Sequence, residues 1–524
     1  MEKNVETEIK LLVAADDLEK LVASPLVKKV MKRGSRKKLD LLNIYYDTPS
    51  LALKEAGIAY RVRRTGARSY EATIKLDKNL AGGLTQRREY NVPCGKEAPG
   101  LAPFEPLVPE IDFAAVLNGE EPEELFRVTV EREIRLLQIT PETLVEMAID
   151  RGEIKAAGKT DPIEEVELEL KEGNLADLLG YTSRLATLVP VFTESRSKFV
   201  RGMVLLGKMD PSAMAPAPFR VDGEKAYTEE YRNLFFHYGT LIMEEQNAFL
   251  ESDVDREADR IFLPYFRQLE QGLFWIRPML PYGDEMERML RQAVAPLKRL
   301  RALKALEAKW LRLYGLAGSG IGPDKVDRMI VRELDLAAAA VREQIADGGY
   351  TEILFSFWHL MTRTPWKAEE MLQVRELQRC RTSELVCDWL EQEKQAAEVR
   401  KAAAGGENGE ETEIPESAAK VDDSQVRRLV TILSREKKKA LKEILGKKGS
   451  RRLKKISAAL ERLDRINCYP SVIPEKMITV KAGDTSRQCG MLFGWCMAAG
   501  LLYEEEVERQ WKKWRRFAKS LCMR

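Results

Sequence analysis

The first 208 residues of this 524-residue chain contain short segments in which charged and apolar residues alternate, and this pattern constrains the fold more than any other feature. In the first such segment Glu6, Glu8 and Lys10 are two residues apart, so in a β-strand all three side chains point to one face. Two carboxylates and an ammonium group cannot face a hydrophobic core, because the burial of unpaired charges is strongly unfavourable. This face must therefore meet either solvent or an enclosed polar cavity.

The same alternation recurs in other predicted strands, and the charges differ from one strand to the next. The strand faces carry Arg61 with Arg63, Glu71 with Lys75, Arg87 with Glu89, and Glu165, Glu167 and Glu169 with Lys171. For one strand alone, a solvated outer face explains the pattern. Several strands together favour a shared cavity, because guanidinium and ammonium groups bind phosphate oxygens whereas carboxylates bind Mg²⁺ or Mn²⁺. We therefore predict a cavity suited to metal-assisted phosphoryl transfer.

In their order along the chain, these segments resemble the CYTH domain of the triphosphate tunnel metalloenzymes. The motifs are Glu6-Thr7-Glu8-Ile9-Lys10, Tyr45-Tyr46-Asp47-Thr48, Tyr60-Arg61-Val62-Arg63, Thr73-Ile74-Lys75, Gly82-Gly83-Leu84, Arg87-Arg88-Glu89-Tyr90, Asp150-Arg151-Gly152, Glu165-Val166-Glu167-Leu168-Glu169 and Ser197-Lys198-Phe199-Val200-Arg201-Gly202. The resemblance implies that residues 1–208 form an α+β domain, an eight-stranded antiparallel β-barrel whose lumen binds a triphosphate. Short helices are expected at 16–31, 110–117 and 174–188.

The resemblance also implies roles for individual side chains in the lumen. It implies that a divalent cation, Mg²⁺ or Mn²⁺, is held by Glu6, Glu8, Asp150, Glu165, Glu167 and Glu169. It implies that phosphate oxygens are bound by Lys10, Arg61, Arg63, Lys75, Arg87, Arg132, Lys198 and Arg201. Lys10, Glu89 and Lys198 are expected to take part in catalysis. Two alternatives stay open, because Arg135 lies on the other face of the segment that holds Arg132, and Asp150 could serve an Asp-Arg-Gly turn instead of a metal.

The expected reaction is the hydrolysis of inorganic tripolyphosphate to pyrophosphate and phosphate, as in the bacterial inorganic triphosphatases that the chain resembles. A second metal ion or a carboxylate would position and deprotonate the attacking water. The alternatives are hydrolysis of an organic triphosphate such as thiamine triphosphate, cyclisation of ATP as in class IV adenylate cyclases, and non-catalytic binding of polyphosphate. The two histidines, His237 and His359, lie outside residues 1–208, which excludes a histidine phosphointermediate in that domain.

The rest of the chain is predicted to be helical. A proline-rich linker at 209–218 precedes an all-α domain at 219–524, in which 396–423 is rich in Ala, Gly and Glu and is expected to be a flexible insertion. Residues 420–465 hold 16 Lys and Arg against 6 Asp and Glu, and a further basic group is formed by Arg288, Arg291, Lys298, Arg299 and Arg301. A basic surface of this kind suits a polyanion.

A helical region after a CYTH domain resembles the CHAD domain, a helical bundle associated with inorganic polyphosphate. The resemblance rests on position and helical architecture, because His237 and His359 occur in no basic motif and are predicted to be structural. We therefore expect the helical domain to be a candidate polyphosphate-binding region, with no specific nucleic-acid motif. The chain has no run of about 18 apolar residues and no signal-peptide pattern at its start, so we expect no membrane partner and a cytoplasmic protein.

Overall fold

The computed structural model describes residues 4–66, 69–81, 83–95, 100–210, 218–317, 326–363, 366, 372–404, 421, 423–435, 438–473 and 484–522. The first part of the chain is dominated by strands. They are β1 (Val5–Leu12), β2 (Lys37–Asp47), β3 (Ala59–Arg64), β4 (Tyr70–Ala81), β5 (Leu84–Cys94), β6 (Glu123–Gln138), β7 (Leu144–Ala156), β8 (Lys159–Glu172) and β9 (Phe192–Thr193).

Eight of these strands close into an antiparallel barrel. The strand order is β5-β4-β3-β2-β6-β7-β8-β1, and β1 also pairs with β5, which removes both edges of the sheet. The two-residue strand β9 pairs with the end of β1. The register places opposite charges side by side, as in the pairs Glu6 with Arg87, Lys75 with Glu89, Lys10 with Glu167, and Arg132 with Asp150. The predicted eight-stranded antiparallel barrel is confirmed.

The barrel is polar inside and apolar outside, so its core lies around it. Ile9 of β1, Met147 of β7 and Leu168 of β8 are fully buried outside the lumen, in one cluster with Leu178 and Leu185. Because strand side chains alternate, the residues between them point into the barrel. The charged alternation of the sequence therefore becomes a charged lumen, and the outer face is covered by helices.

Short helices connect the strands close to where the sequence predicts them. They are α1 (Ala15–Ala23), α2 (Pro25–Lys28), α3 (Ala52–Glu55), α4 (Phe113–Leu117), α5 (Leu175–Ala186) and α6 (Lys198–Leu205). Helix α5 begins after Asn174, whose side chain accepts a hydrogen bond from the Asp177 amide, and α6 begins after Ser197, which caps the Val200 amide in the same way. The cap at Ser197 fixes Lys198 as the first residue of α6.

The second part of the chain is helical. Its helices are α7 (Tyr227–Leu250), α8 (Ala258–Ile276), α9 (Gly283–Ala317), α10 (Val326–Ala346), α11 (Gly349–Arg363), α12 (Val374–Ala404), α13 (Ser424–Arg435), α14 (Lys438–Val472) and α15 (Asp484–Cys522). The predicted linker at 209–218 lies outside the described residues from 211 to 217. Helix α12 runs to Ala404, and the predicted insertion lies outside the described residues at 405–420 and 422.

The barrel and the helices share one hydrophobic core. Helix α5 packs against α11, where an ideal Cβ on Gly180 would lie 2.6 Å from Nδ1 of His359. His359 Nδ1 is also 2.7 Å from the backbone oxygen of Ala176, and Ser183 Oγ is 2.6 Å from Ser356 Oγ. His359 therefore contacts α5 directly, and a glycine at 180 allows the two helices to approach closely.

Within the part of the chain that the structure describes, no helix combines the length and the apolar character needed to cross a bilayer.

Candidate active site

The barrel encloses a charged cavity of about 410 Å³. Its acidic lining residues are Glu6, Glu8, Glu71, Glu89, Glu146, Asp150, Glu167 and Glu169, and its basic lining residues are Lys10, Arg61, Arg63, Lys75, Arg87, Arg132, Lys171 and Lys198. The eight acidic and eight basic groups balance in formal charge. Nearly all side chains predicted as site residues are brought together here, and the two that are not in contact with the cavity, Glu165 and Arg201, lie directly behind Lys198.

Three carboxylates from neighbouring strands converge at one place in the barrel. Asp150 of β7 and Glu165 and Glu167 of β8 each offer an oxygen within 4.8 Å of the others. Their exposed fractions are 0%, 1% and 8%, so little solvent reaches them. Asp150 lies inside a strand that continues through Gly152, which favours its lumen position over a turn. The glycine at position 152 is explained by packing instead of a turn. A Cβ at this position would lie 2.0 Å from the backbone oxygen of Thr129 in β6.

The ammonium group of Lys198 lies among these three carboxylates. Its Nζ is 2.8 Å from Asp150 Oδ2 and 2.9 Å from Glu167 Oε1, and it also contacts Glu165 Oε1. Arg132 donates two hydrogen bonds of 2.6 Å to Asp150 and a third to Glu167. Of the two candidate arginines, Arg132 lines the cavity, whereas Arg135 bonds Glu133.

Neighbouring opposite charges favour the ionised forms of Asp150, Glu167 and Lys198. Burial alone would raise the pKa of Glu167, but Lys198 and Arg132 outweigh it and hold the pKa well below its usual range. Burial opposes the charge on Lys198 as well, and Glu165, Glu167 and Asp150 raise the pKa of this ammonium group well above its usual value. The pKa of Asp150 is also lowered, because Lys198 and Arg132 outweigh the effect of burial. Each charge thus depends on its neighbours.

The carboxylate cluster fits a hard divalent cation. Three carboxylates within reach of one point are the oxygen donors that Mg²⁺ and Mn²⁺ prefer. Glu165 Oε2 is buried and has no hydrogen-bond partner among the described residues, and its ion pair with Arg201 Nη1 is long, at 3.6 Å. A cation at this point and the Lys198 ammonium would occupy the same space, so binding one requires displacement of the other.

The remaining predicted metal ligands lie on β1 and at the other end of β8. Glu6 Oε2 accepts hydrogen bonds from Lys75 at 2.9 Å and Arg87 at 2.8 Å, and Glu8 Oε1 accepts one from Arg87 at 2.9 Å. Burial and the negative charges of Glu6 and Glu167 raise the pKa of Glu8. In this structure Glu6 and Glu8 are thus bound by cationic side chains rather than grouped with the three carboxylates.

Glu169 has a different environment from the other carboxylates of β8. Burial raises its pKa to about 7, although Lys171 bonds it and acts in the opposite direction. Lys171 Nζ lies 2.6 Å from Glu169 and 3.9 Å from Glu146. This end of the lumen therefore holds a carboxyl that is partly protonated near neutral pH.

A basic wall formed by β3, β4 and β5 faces the carboxylates. Arg61 Nη2 bonds Thr73 Oγ1 at 3.1 Å, and its Nε is buried with no hydrogen-bond partner among the described residues. Arg63 Nε bonds Asn43 Oδ1 at 2.8 Å, and the charge of Arg61 together with burial lowers the Arg63 pKa to about 10. Two guanidinium groups that repel one another in this way form a site suited to an anion.

Several polar residues that orient these arginines were not predicted from the sequence. Asn43, Thr73 and Asn91 line the same network, with Thr73 Oγ1 bonded to Asn91 Oδ1 at 2.7 Å. A signal was available, because Thr73 and Asn91 are two residues from Lys75 and Glu89 and so share their strand faces. Asp47, from the Tyr45-Tyr46-Asp47-Thr48 motif, takes no part in this network. Its carboxylate accepts hydrogen bonds from the backbone amides of Thr48, Leu53 and Lys54 and so caps α3.

Arg201 does not line the cavity. Its Nε bonds Asp161 Oδ2 at 2.7 Å and its Nη2 bonds the Pro162 backbone oxygen, while Nη1 is 3.6 Å from Glu165 Oε2. It therefore supports Glu165 from behind, which differs from the phosphate contact that the motif implied. We infer that Arg201 orients the carboxylate cluster.

Residues 4–202 match the family model of the CYTH domain. Among curated proteins, an inorganic triphosphatase of Haemophilus influenzae is 32% identical over 177 residues, which cover 32% of this chain and 47% of the relative. The chain therefore spans about half the length of this relative.

Solved structures that are similar to this chain share less sequence with it. One is an adenylyl cyclase candidate from Hippeastrum whose dominant activity is that of a triphosphatase; it is 18% identical, with a TM-score of 0.27, and the match covers 39% of this chain and 98% of that one. Another is an adenylate cyclase candidate from Bacillus halodurans, 16% identical with a TM-score of 0.21, covering 42% of this chain and 97% of that one.

Proposed function

We propose, on the premise that residues 4–202 are a CYTH domain, that this protein hydrolyses inorganic tripolyphosphate to pyrophosphate and phosphate with Mg²⁺ or Mn²⁺. One observation carries the proposal. Three converging carboxylates, Asp150, Glu165 and Glu167, lie opposite a wall of guanidinium groups that includes Arg61 and Arg63, and Asp150 and Glu167 line the same lumen as these arginines. A metal-bound polyphosphate needs both sets at once.

The balance of charge in the lumen supports a metal requirement. The acidic and basic lining residues are equal in number, so the cavity offers no net positive charge to a polyanion. A triphosphate that enters this cavity brings several negative charges close to Glu6, Glu8 and Glu167. Divalent cations supply the compensating charge, and their affinity for both carboxylate and phosphate oxygens joins the two groups.

The chain's own residues can be assigned to the steps of hydrolysis. Arg61, Arg63, Lys75 and Arg87 bind phosphate oxygens, and Lys10 and Lys198 stabilise the charge that develops on the oxygen that leaves. The oxygen of a water molecule bonds to the terminal phosphorus, and the bond from that phosphorus to the bridging oxygen breaks. A lumen carboxylate accepts the water proton, and Glu89 is our candidate because it contacts Lys75 on the phosphate-binding wall.

The bound metal would be held by Asp150, Glu165 and Glu167 and would polarise phosphate oxygens as a Lewis acid.

An inorganic substrate suits the lining better than an organic triphosphate. The aromatic residues at the cavity, Tyr45 and Phe199, are 7% and 8% exposed. Their rings pack on each other and on Phe126, at centroid distances of 5.8, 4.9 and 6.3 Å for the three pairs. Since they are committed to a hydrophobic cluster, they offer little free surface for stacking on a base or a thiazolium ring.

For the helical domain we propose binding of long-chain polyphosphate. A groove of about 450 Å³ is lined by Arg267, Arg291, Lys298 and Arg428 together with Glu270 and Glu287. Lys298 bonds Glu270 at 2.7 Å, and Glu287 is shared by Arg277, Arg291 and Arg428, so several cations would have to exchange partners on binding. Arg288 and Arg299 pair with Glu285 and Glu333. In the basic segment 420–465, residues 420, 422, 436 and 437 lie outside the described residues.

The proposal is tested by measuring phosphate release from tripolyphosphate, long-chain polyphosphate, ATP and thiamine triphosphate, each with Mg²⁺ and with Mn²⁺. We expect the highest kcat/KM for tripolyphosphate. A higher kcat/KM for thiamine triphosphate, or formation of cyclic AMP from ATP, would instead assign an organic substrate. No turnover of any of the four, with polyphosphate bound, would indicate a binding protein.

A further inference from the structure

The segment that brings Lys198 into the lumen is short and lies at the junction with the helical domain. Strand β9 (Phe192–Thr193) is followed by Glu194 to Ser197, and α6 begins at Lys198. The position of the Lys198 ammonium among the carboxylates therefore depends on where these few residues lie.

Contacts within the barrel hold this segment at its two ends, at β1 through Thr193 and Glu194 and at β7 and β8 through the ion pairs of Lys198. Thr193 pairs with Leu11 of β1, and the Glu194 amide donates to the Lys10 backbone oxygen at 3.3 Å. A two-residue strand forms few ladder hydrogen bonds, so its position is weakly determined by the sheet alone. The same stretch of β1 carries Lys10, which also lines the lumen.

Helix α7 of the helical domain holds the segment from outside. The side-chain amide of Asn247 donates a hydrogen bond of 2.9 Å to the Thr193 backbone oxygen. Thr193 is only 3% exposed, so this bond is shielded from water and competes little with solvent. Asn247 lies in the last turn of α7, on the side that meets the barrel.

A second residue at the end of α7 acts on the same segment through charge. Arg196 bonds the Glu194 carboxylate, with Nε at 2.9 Å and Nη2 at 2.8 Å. The hydrogen bond to Glu194 is the main reason that the pKa of Arg196 is raised, and the carboxylates of Asp161 and Glu251 add to it. Glu251 directly follows α7, so the charge at the end of this helix favours the ionised form of Arg196.

We propose that Asn247 is a positioning residue, through which the helical domain fixes the segment Thr193 to Ser197 and thereby places Lys198 in the lumen. A fixed backbone at Thr193 to Ser197 would serve the proposed reaction. The Lys198 ammonium would have to leave the carboxylates when a cation binds them and then reach the substrate, so its side chain should move while its backbone stays in place. The kinetic part of this inference rests on the proposed function, and the structural part does not.

Two variants of the full-length chain test the proposal, Asn247→Ala and the isosteric Asn247→Asp, which lacks the N–H donor. Asn233→Ala is the matched control, because Asn233 is an exposed asparagine on the same helix. Backbone hydrogen exchange of residues 192–198 is compared without metal or substrate, and kcat and KM are measured with tripolyphosphate and Mg²⁺. Thermal unfolding reports whether the whole chain is affected.

We expect exchange at 192–198 to become about three- to tenfold faster in both Asn247 variants, the range that one hydrogen bond supports. We expect kcat to fall by a similar factor with KM within about twofold, and Asn233→Ala to behave as the unmodified chain. Unchanged exchange at 192–198 would overturn the proposal. Faster exchange throughout α7 and the barrel, together with a lower unfolding temperature, would also overturn it, because the effect of Asn247 would then be on the stability of the whole chain. If the unmodified chain released no phosphate, the proposed function would fail, and the exchange result would still decide the role of Asn247.

Discussion

The Lys198 ammonium lies 2.8 Å from Oδ2 of Asp150, at the point where three carboxylates converge and where a divalent cation would bind. One side chain of the barrel thus occupies the candidate metal site when no metal is present. The lysine neutralises carboxylates whose burial would otherwise destabilise the fold. A metal that displaced the ammonium would leave it able to approach a phosphate oxygen. We propose that this exchange of partners links metal binding to the assembly of the active site.

We predict that hydrolysis of tripolyphosphate requires an added divalent cation. A chelator in excess should abolish activity, because the balanced lumen gives a polyanion no net attraction and the carboxylates would repel it. Phosphate release is measured in EDTA and again after Mg²⁺ or Mn²⁺ is restored in excess. Full activity in EDTA would contradict the metal assignment.

Substitution of the basic wall should reduce catalysis without unfolding the barrel. Arg61→Ala and Arg63→Ala should each lower kcat/KM for tripolyphosphate by about tenfold or more, because a charge-assisted phosphate contact contributes roughly 1.5–3 kcal/mol. Arg64→Ala is the matched control, since Arg64 follows on the same strand and is exposed. Steady-state kinetics with tripolyphosphate measure kcat/KM, and a circular dichroism spectrum shows whether each variant is folded. Wild-type kinetics for both lumen variants would place these arginines outside the substrate site.

Removal of the Lys198 ammonium should strengthen metal binding and weaken turnover. In Lys198→Met the three carboxylates lose the one cation that contacts all of them in the described structure, so Mn²⁺ should bind the substrate-free protein about tenfold tighter or more, since breaking a buried ion pair leaves several kcal/mol of uncompensated charge. Calorimetric titration with Mn²⁺ measures this affinity, and kcat should fall at saturating metal. Lys208→Met, at an exposed position, serves as the control. Equal or weaker Mn²⁺ binding by Lys198→Met would show that the metal lies elsewhere.

His237 should make stability decrease on mild acidification. Partial burial lowers the pKa of its imidazole below the usual value, and its Nε2 accepts a hydrogen bond from the Phe219 amide at 3.3 Å, so protonation both charges a partly buried ring and removes an acceptor. For a group with a lowered folded pKa, the contribution is present above the unfolded pKa of about 6.5 and is lost as pH falls through the folded value.

The measurement is an NMR titration of the two histidine rings, assigned with His359→Gln, and thermal unfolding between pH 5 and pH 8. The difference in unfolding temperature between the unmodified chain and His237→Leu should shrink as pH falls below about 6.5. A measured His237 pKa above 6.5 would contradict the prediction that the folded protein disfavours the protonated ring.

The contact between α5 and α11 should be sensitive to the size of residue 180. Gly180→Val should lower the stability of the full chain by about 1–3 kcal/mol, since even one added carbon would meet His359 at 2.6 Å inside a packed interface. Denaturant unfolding measures the change. Gly207→Ala, where no atom lies within 4 Å of an added Cβ but φ is positive, separates a packing effect from backbone strain. Unaltered stability of Gly180→Val would mean that the helices can move apart freely.

Much of the barrel could be predicted from the sequence, because strand alternation is a local property. The period of two places Glu6, Glu8 and Lys10 on one face whatever the strand packs against, and the order of motifs identified the closed antiparallel fold. The helical part was recognised for the same reason, since residues from 219 onward are predicted to be helical and a helix is observed there at Tyr227–Leu250. Periodicity depends on neighbours along the chain and needs no knowledge of distant contacts.

The sequence alone therefore determined which residues can share a face and which kinds of charge the lumen holds. Only the tertiary structure decided how those charges pair, since the register of β7, β8 and α6 brings Lys198 to Asp150, Glu165 and Glu167 and leaves Glu6 and Glu8 with Arg87. It also decided that Arg201 supports Glu165 from behind and that Asn247 reaches Thr193. These contacts join residues far apart in the chain, and their geometry follows from the closure of the barrel and the packing of helices on it, which no local pattern encodes.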